Sequence, residues 1–213
     1  MNNQPPEIRD VLFGDLPFDQ WPDEPVDAEP WLSFVRARDQ LNSGNSEDSK
    51  QALRQILTMS DLESRHYLQA WHFLRQLGEN AAGDDAKRLY GVVVEVALEG
   101  GLDIVAAYAD HRARYFNYSG SAVVWEKPDE SLDGTIDSLL EAGRAVVEKI
   151  GPWEGARPLA PPQGHVRINM LVSSGLYFGQ GPYDALSQDP LGGPVIGSAL
   201  QLMQALIAKT NNG

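Results

Sequence analysis

Residues 88–126 constrain the fold more than any other part of the chain. The run from Leu89 to Leu98 contains too many β-branched residues for a stable helix, and its hydrophobic period is that of a strand. Turn signals then recur at intervals of about nine or ten residues, at Gly100-Gly101, Asp110-His111 and Ser119-Gly120. This spacing predicts an antiparallel meander of four strands joined by two-residue turns.

Two-residue turns would determine which side chains share a face of this sheet. The more apolar face is predicted to carry the main helical layer, and it holds Val92, Val94, Val96, Leu98, Val105, Ala107, Arg112, Arg114, Phe116, Val123 and Trp125. The mixed face is predicted to be partly hydrated or covered by N-terminal helices, and it holds Val93, Glu95, Leu102, Ile104, Ala106, Tyr108, Tyr115, Asn117, Val124 and Glu126. A slip of one residue at Asp110-His111 would exchange the faces.

The segments around the meander alternate between helical and strand-like patterns. Three amphipathic helices are predicted between residues 30 and 78, one at about 131–150, and a last one from Pro194. Residues 165–173 and 176–178 predict a hairpin that extends the same sheet, whereas the Gly/Pro-rich segments 151–164 and 179–193 predict loops. This order predicts an α+β fold: N-terminal helices, then an antiparallel sheet (four-strand meander plus a two-strand hairpin) with two further helices packed on it.

The first 30 residues differ in composition from the rest of the chain. They hold six of the 14 prolines, and eight acidic side chains against one arginine, so they carry −7 of the net charge of −13. This predicts an extended or partly disordered segment. Its apolar residues favour a strap on the domain's own surface over a motif that docks on a partner, and they are Val11, Leu12, Phe13, Leu16, Phe18 and Trp21. Residues 31–213 are predicted to form a single α+β domain, with a helical portion at 31–78 and the sheet and helices at 88–213.

Composition narrows the classes of function. The chain has no cysteine, which excludes disulfides, thiol nucleophiles and thiolate metal sites. Its acidity, with no basic cluster denser than Arg112 and Arg114, predicts no binding to nucleic acid. No apolar run approaches the roughly 20 residues that span a bilayer. The N-terminus also lacks the basic start and apolar core of a signal peptide, so a cytoplasmic protein without membrane contact is predicted.

No motif specifies a reaction. His66 and His72 lie six residues apart on different helix faces, and no His-Glu-x-x-His pattern occurs. Ser119 and Ser174 stand in turn sequences rather than in the elbow of a serine hydrolase. The glycine-rich stretch 175–181 lacks the Lys-Ser/Thr pair of a phosphate-binding loop. We therefore predict no cofactor, no metal and no catalytic residues, and an enzyme is kept only as part of the alternative function.

The candidate ligand-binding residues are Glu95, Tyr115, Asn117 and Glu126. The predicted register places these carboxylate, phenol and amide groups together on the mixed face, where they could line a pocket. The alternative is that they form the hydrated side of a sheet, since polar sheet faces are common.

Arg114 and Trp125 are predicted to be neighbours on the opposite face, where they would form a structural cation–π pair.

Two functions follow from these observations. The favoured one is a non-catalytic intracellular interaction or accessory module that holds a protein partner or associates with itself. The alternative is a small-molecule-binding protein or enzyme that uses the mixed face together with the loops at 151–164 and 179–193. A deep pocket would favour the second function, and an exposed apolar patch would favour the first.

Overall fold

The computed structural model of the protein describes residues 8–17 and 28–210. These residues form an α+β fold in which helices cover both faces of one six-stranded antiparallel sheet. The α-helices are α1 (Ile8–Phe13), α2 (Trp31–Asn42), α3 (Ser46–Thr58), α4 (Ser64–Gln76), α5 (Asp133–Val147), α6 (Tyr183–Ser187) and α7 (Gly192–Thr210). The strands are β1 (Leu89–Leu98), β2 (Gly101–Tyr108), β3 (Ala113–Phe116), β4 (Ala122–Trp125), β5 (His165–Val172) and β6 (Gly175–Pro182). A 3-10 helix, Gly83–Lys87, precedes β1.

The strands are arranged in the order β4-β3-β2-β1-β5-β6. The predicted meander and the hairpin that extends its sheet are therefore both confirmed. The strand β1 lies in the middle, paired with β2 on one side and with β5 on the other. Its valine-rich sequence suits this position, because both of its faces are buried.

The turns of the meander differ from the prediction in length or position. The first turn has two residues, Glu99 and Gly100, one position earlier than predicted. The other two loops have three residues each, at 109–111 and 118–120. Each ends on a residue in the left-handed conformation, His111 with φ 61° and Gly120 with φ 89°. This is the geometry of a three-residue hairpin loop.

An added loop residue reverses the side chains of the strand that follows. Because two such loops follow each other, their effects cancel after β3, and only β3 is turned over. The predicted faces of Arg114, Phe116 and Tyr115 are therefore wrong. Arg114 and Phe116 lie on the mixed face, and Tyr115 lies on the apolar face. The predicted positions of Val123 and Trp125 on the apolar face are confirmed.

Helices α5 and α7 pack on the apolar face, where they enclose the largest hydrophobic cluster. Helices α1 and α4 cover the mixed face, which makes that face a second buried layer rather than a hydrated one. Helix α2 packs on α3, which packs on α4, in a third cluster. The described part of the chain contains no helix long and apolar enough to cross a membrane.

Two predicted irregular segments contain regular structure. Residues 8–13 form α1 instead of an extended segment, and Leu12 and Phe13 are buried against the mixed face. Phe18 and Trp21 lie outside the described residues. Segment 179–193 is not a plain loop, because β6 runs to Pro182 and α6 follows it. Glycines and a final proline are tolerated in β6 because it is an edge strand.

Candidate functional site

The structure does not bring the four predicted ligand-binding residues together. Tyr115 lies on the apolar face, where its hydroxyl donates a hydrogen bond to Asp103 Oδ2 at 3.2 Å. Glu126 is 54% exposed at the sheet edge, where it accepts hydrogen bonds from Arg112 and Arg114. No pocket is formed by the four residues as a group, because they lie on different faces and at different depths.

Asn117 organises a turn. Its Oδ1 accepts hydrogen bonds from the backbone nitrogens of Ser119 and Ser121, both at 3.0 Å, which closes the loop between β3 and β4.

Glu95 is fully buried under α1 on the mixed face. Its Oε1 accepts a hydrogen bond from Arg9 Nε at 2.6 Å, and its Oε2 accepts one from Asn169 Nδ2 at 3.1 Å. Arg167 Nη1 lies 3.7 Å from the same carboxylate. These contacts anchor α1 to the sheet. The carboxylate of Glu95 is therefore occupied by structural contacts and does not face an open ligand site.

The predicted cation–π pair between Arg114 and Trp125 is replaced by other contacts. Arg114 Nη1 donates to the backbone oxygen of Trp125 at 3.0 Å. The cation over the Trp125 ring is Lys209, whose Nζ lies 5.2 Å from the ring centroid. The reversal of β3 explains the difference, because it moves Arg114 to the other face of the sheet from the Trp125 ring.

A cleft of about 640 Å³ lies between α4 and the loop that follows α5. That volume falls within the range of small-molecule sites. One face of α4 forms one wall, the end of α1 and the loop 152–157 form others, and the turn between β5 and β6 closes the site. The polar and aromatic groups that line it are Phe13, Asp15, His72, Arg75, Gln76, Asn80, Trp153, Glu154, Arg157 and Ser174.

Two arginines line the cleft. Arg157 is paired with Asp15, whereas Arg75 makes no ion pair with any of the described residues. Its Nη1 donates a hydrogen bond to the backbone oxygen of Ser173 at 2.6 Å. Burial lowers its pKa to about 10, against the raising effect of Asp15. Arg75 is thus a partly buried guanidinium that is fixed at one nitrogen and charged at neutral pH.

Asp15 forms its ion pair with another arginine, Arg157. Arg157 Nε donates to Asp15 Oδ2 at 2.7 Å, and Arg157 Nη2 donates to Asp10. Burial raises the pKa of Asp15, although Arg157 opposes this. The centroid of the Phe13 ring lies 4.8 Å from the Arg157 guanidinium carbon. Together these contacts hold the end of α1 as a rigid wall of the cleft.

His72 is neutral at physiological pH. Burial is the largest cause that lowers its pKa to about 4, and the nearby Arg75 and Arg157 add to the effect. Its Nε2 lies 2.9 Å from Gln76 Nε2, so the ring accepts a hydrogen bond there and carries its proton on Nδ1. His72 therefore offers the cleft a neutral hydrogen-bonding group and no charge.

The low pKa of His72 predicts a loss of stability in mild acid. The unfolded chain, in which histidine titrates near 6.5, binds a proton at pH 5, and the folded protein does not. The free energy of unfolding should therefore fall by about 2 kcal/mol from this group between pH 7 and pH 5. In His72→Gln, urea unfolding should show a loss smaller by that amount.

Burial also lowers the pKa of His66. Because His66 is present in both proteins, its contribution to the pH dependence cancels in this comparison. Equal losses in wild type and variant would contradict the prediction.

The residues of the cleft come from segments that sequence patterns do not connect. His72 and Arg75 follow Leu68 on one face of α4, and nothing in that mostly polar face distinguishes it from an ordinary hydrated helix face. Of the two predicted functional loops, 151–164 supplies the cleft wall at residues 152–157, whereas no residue of 179–193 lines it.

Comparison with protein families, with curated proteins and with solved structures finds no match. Within residues 8–17 and 28–210, no three histidine or acidic side chains are grouped as metal ligands.

Proposed function

We propose that this protein is a non-catalytic binding protein for a small organic anion, which it holds at Arg75 in the cleft beside α4. The observation that carries the proposal is the charge of Arg75, which is held in position by Ser173 but has no carboxylate partner in the described structure. A guanidinium presents parallel donors that match a carboxylate or a phosphate. A partly buried cation that makes no ion pair favours an anionic ligand.

The groups that neighbour Arg75 support ligand binding without catalysis. The hydroxyl of Ser174 lies 3.1 Å from the hydroxyl of Tyr177, and His72 Nε2 is occupied by Gln76. The described part of the cleft therefore has no nucleophile hydrogen-bonded to a base, which is the arrangement that covalent catalysis needs. The proposal corresponds to the small-molecule alternative raised from the sequence, beside one of its two loops, 151–164, but without the four predicted ligand-binding residues. The interaction module with a protein partner stays a prediction.

The charge requirement can be tested with two probes of nearly the same shape. Naphthalene-2-carboxylate is expected to bind the full chain, and the neutral naphthalene-2-carboxamide is expected to bind at least about 10-fold more weakly, because it cannot form a charge-assisted pair. Titrations followed by NMR should shift the Arg75 side-chain and His72 signals with the carboxylate. Shifts confined to residues away from the cleft would overturn the proposal.

Substitution of Arg75 supplies the second test. Arg75→Gln keeps a donor for the Ser173 carbonyl but removes the charge, and it should weaken carboxylate binding by about 10-fold or more. The control is Arg144→Gln, since Arg144 is exposed on α5, across the sheet from the cleft. Its affinity should equal that of wild type. An equal loss in both variants would show that only the net charge matters.

A further inference from the structure

Trp153 is an exposed aromatic side chain at the cleft. Its side chain is 49% exposed although it is a large aromatic group, and it lines the same cleft as Arg75. Exposed aromatic groups beside a charged site are typical of ligand contacts rather than of packing. The indole is nevertheless held in place on several sides.

The fixing contacts of Trp153 involve its backbone, its ring nitrogen and its ring edge. The backbone nitrogen donates to the Leu176 oxygen at 2.7 Å, which ties the loop to β6. The indole Nε1 donates to the Ala156 oxygen at 2.9 Å. The ring meets Phe178 edge to face, with centroids 5.3 Å apart and planes at 66°. A half-exposed ring is thus fixed before any ligand arrives.

Gly155 makes this arrangement possible. A Cβ at that position would lie 2.8 Å from Trp153 Nε1 and 3.0 Å from Cε2, too close for the indole to stay where it is. The loop therefore has a glycine where any side chain would displace the tryptophan. Gly155 thus allows the indole of Trp153 to stay in place, with an exposed aromatic surface at the side of the cleft.

We infer that the ligand of the cleft is an anion carried on a flat ring, with the anionic group at Arg75 and the ring against Trp153. The inference rests on the proposed function and adds the chemical class of the ligand. A planar ring stacks on the fixed indole without ordering a flexible side chain, so it is favoured over a saturated ring of the same size.

The test compares naphthalene-2-carboxylate with decahydronaphthalene-2-carboxylate, which has the same charge and a similar size but is not flat. Calorimetric titration of the full chain should give about 10-fold tighter binding of the flat probe. Trp153→Leu should remove this difference by weakening only the flat probe, and Trp153→Phe should retain part of it. Gly155→Ala should act like a mild version of Trp153→Leu.

The outcomes separate this inference from the proposed function. If both probes bind equally and both depend on Arg75, the flat-ring inference is wrong and anion binding stands. If the preference for the flat probe survives in Trp153→Leu, the inference is also wrong, because the ring then contacts another surface. If neither carboxylate binds, both the proposed function and the inference are overturned.

Discussion

Replacing Glu95 with alanine is expected to lower the free energy of unfolding by about 3–5 kcal/mol, because it leaves a buried charge without its partner. The side chain of Glu95 is 0% exposed and that of Arg167 is 4% exposed. Burial lowers the pKa of Arg167, which Glu95 counteracts. Without the carboxylate, this guanidinium keeps only neutral acceptors, the carbonyls of Pro158 and Leu159 and the Gln180 side chain.

The measurement is urea unfolding of the variant and the wild type at neutral pH, followed by circular dichroism. The matched control is Glu148→Ala, which removes a carboxylate that is 60% exposed and paired with Lys87 at 2.9 Å. A surface pair of this kind contributes about 1 kcal/mol or less. If Glu95→Ala unfolds before it can be measured, Glu95→Gln should show an intermediate loss. Equal effects of Glu95→Gln and Glu148→Ala would contradict a buried network.

The fold could be predicted from the sequence as far as local patterns determine it. The β-branched run at β1 and the regular turn signals specified the meander, and amphipathic periods specified helices α2 to α5 and α7. The first turn lies one position from its predicted place, a change that keeps every side chain on its face. Helices and strands were therefore predictable because their periods depend on neighbouring residues.

The face of β3 was not predictable by the same reasoning. Whether a hairpin loop has two or three residues depends on which residue adopts the left-handed conformation, and here His111 does so at the end of the loop. Histidine is tolerated there without being required, so composition alone does not distinguish the two loops. One such residue moved Arg114 to the mixed face and Tyr115 to the apolar one.

The site was harder to predict than the fold because its groups meet only through tertiary contacts. Arg9 and Glu95 are 86 residues apart in the chain, and Arg75 and Ser173 are 98 apart. No spacing rule connects such positions. Glu95 was correctly placed on the mixed face, but its burial followed from α1, a helix in a segment whose composition is typical of extended chain.

Replacing Gly143 with valine is expected to cost about 3 kcal/mol of stability, because α5 approaches β1 more closely there than any side chain allows. A Cβ at Gly143 would lie 2.5 Å from Val92 Cγ2 and 3.5 Å from Met170 Cγ. Val92 and Met170 are 0% exposed, so neither can move aside into solvent. Overpacking at such a contact forces the helix away from the sheet. Urea unfolding should show the loss.

A double variant identifies the contact responsible. Val92→Ala removes the methyl group that the new side chain would meet, so Gly143→Val with Val92→Ala should be at least about 1 kcal/mol more stable than the sum of the single effects predicts. The control is Gly197→Ala on α7, where a Cβ meets nothing within 4 Å. That variant should gain about 0.5–1 kcal/mol from helix propensity alone. Strict additivity of the two substitutions at Gly143 and Val92 would show that the approach of α5 to the sheet is limited elsewhere.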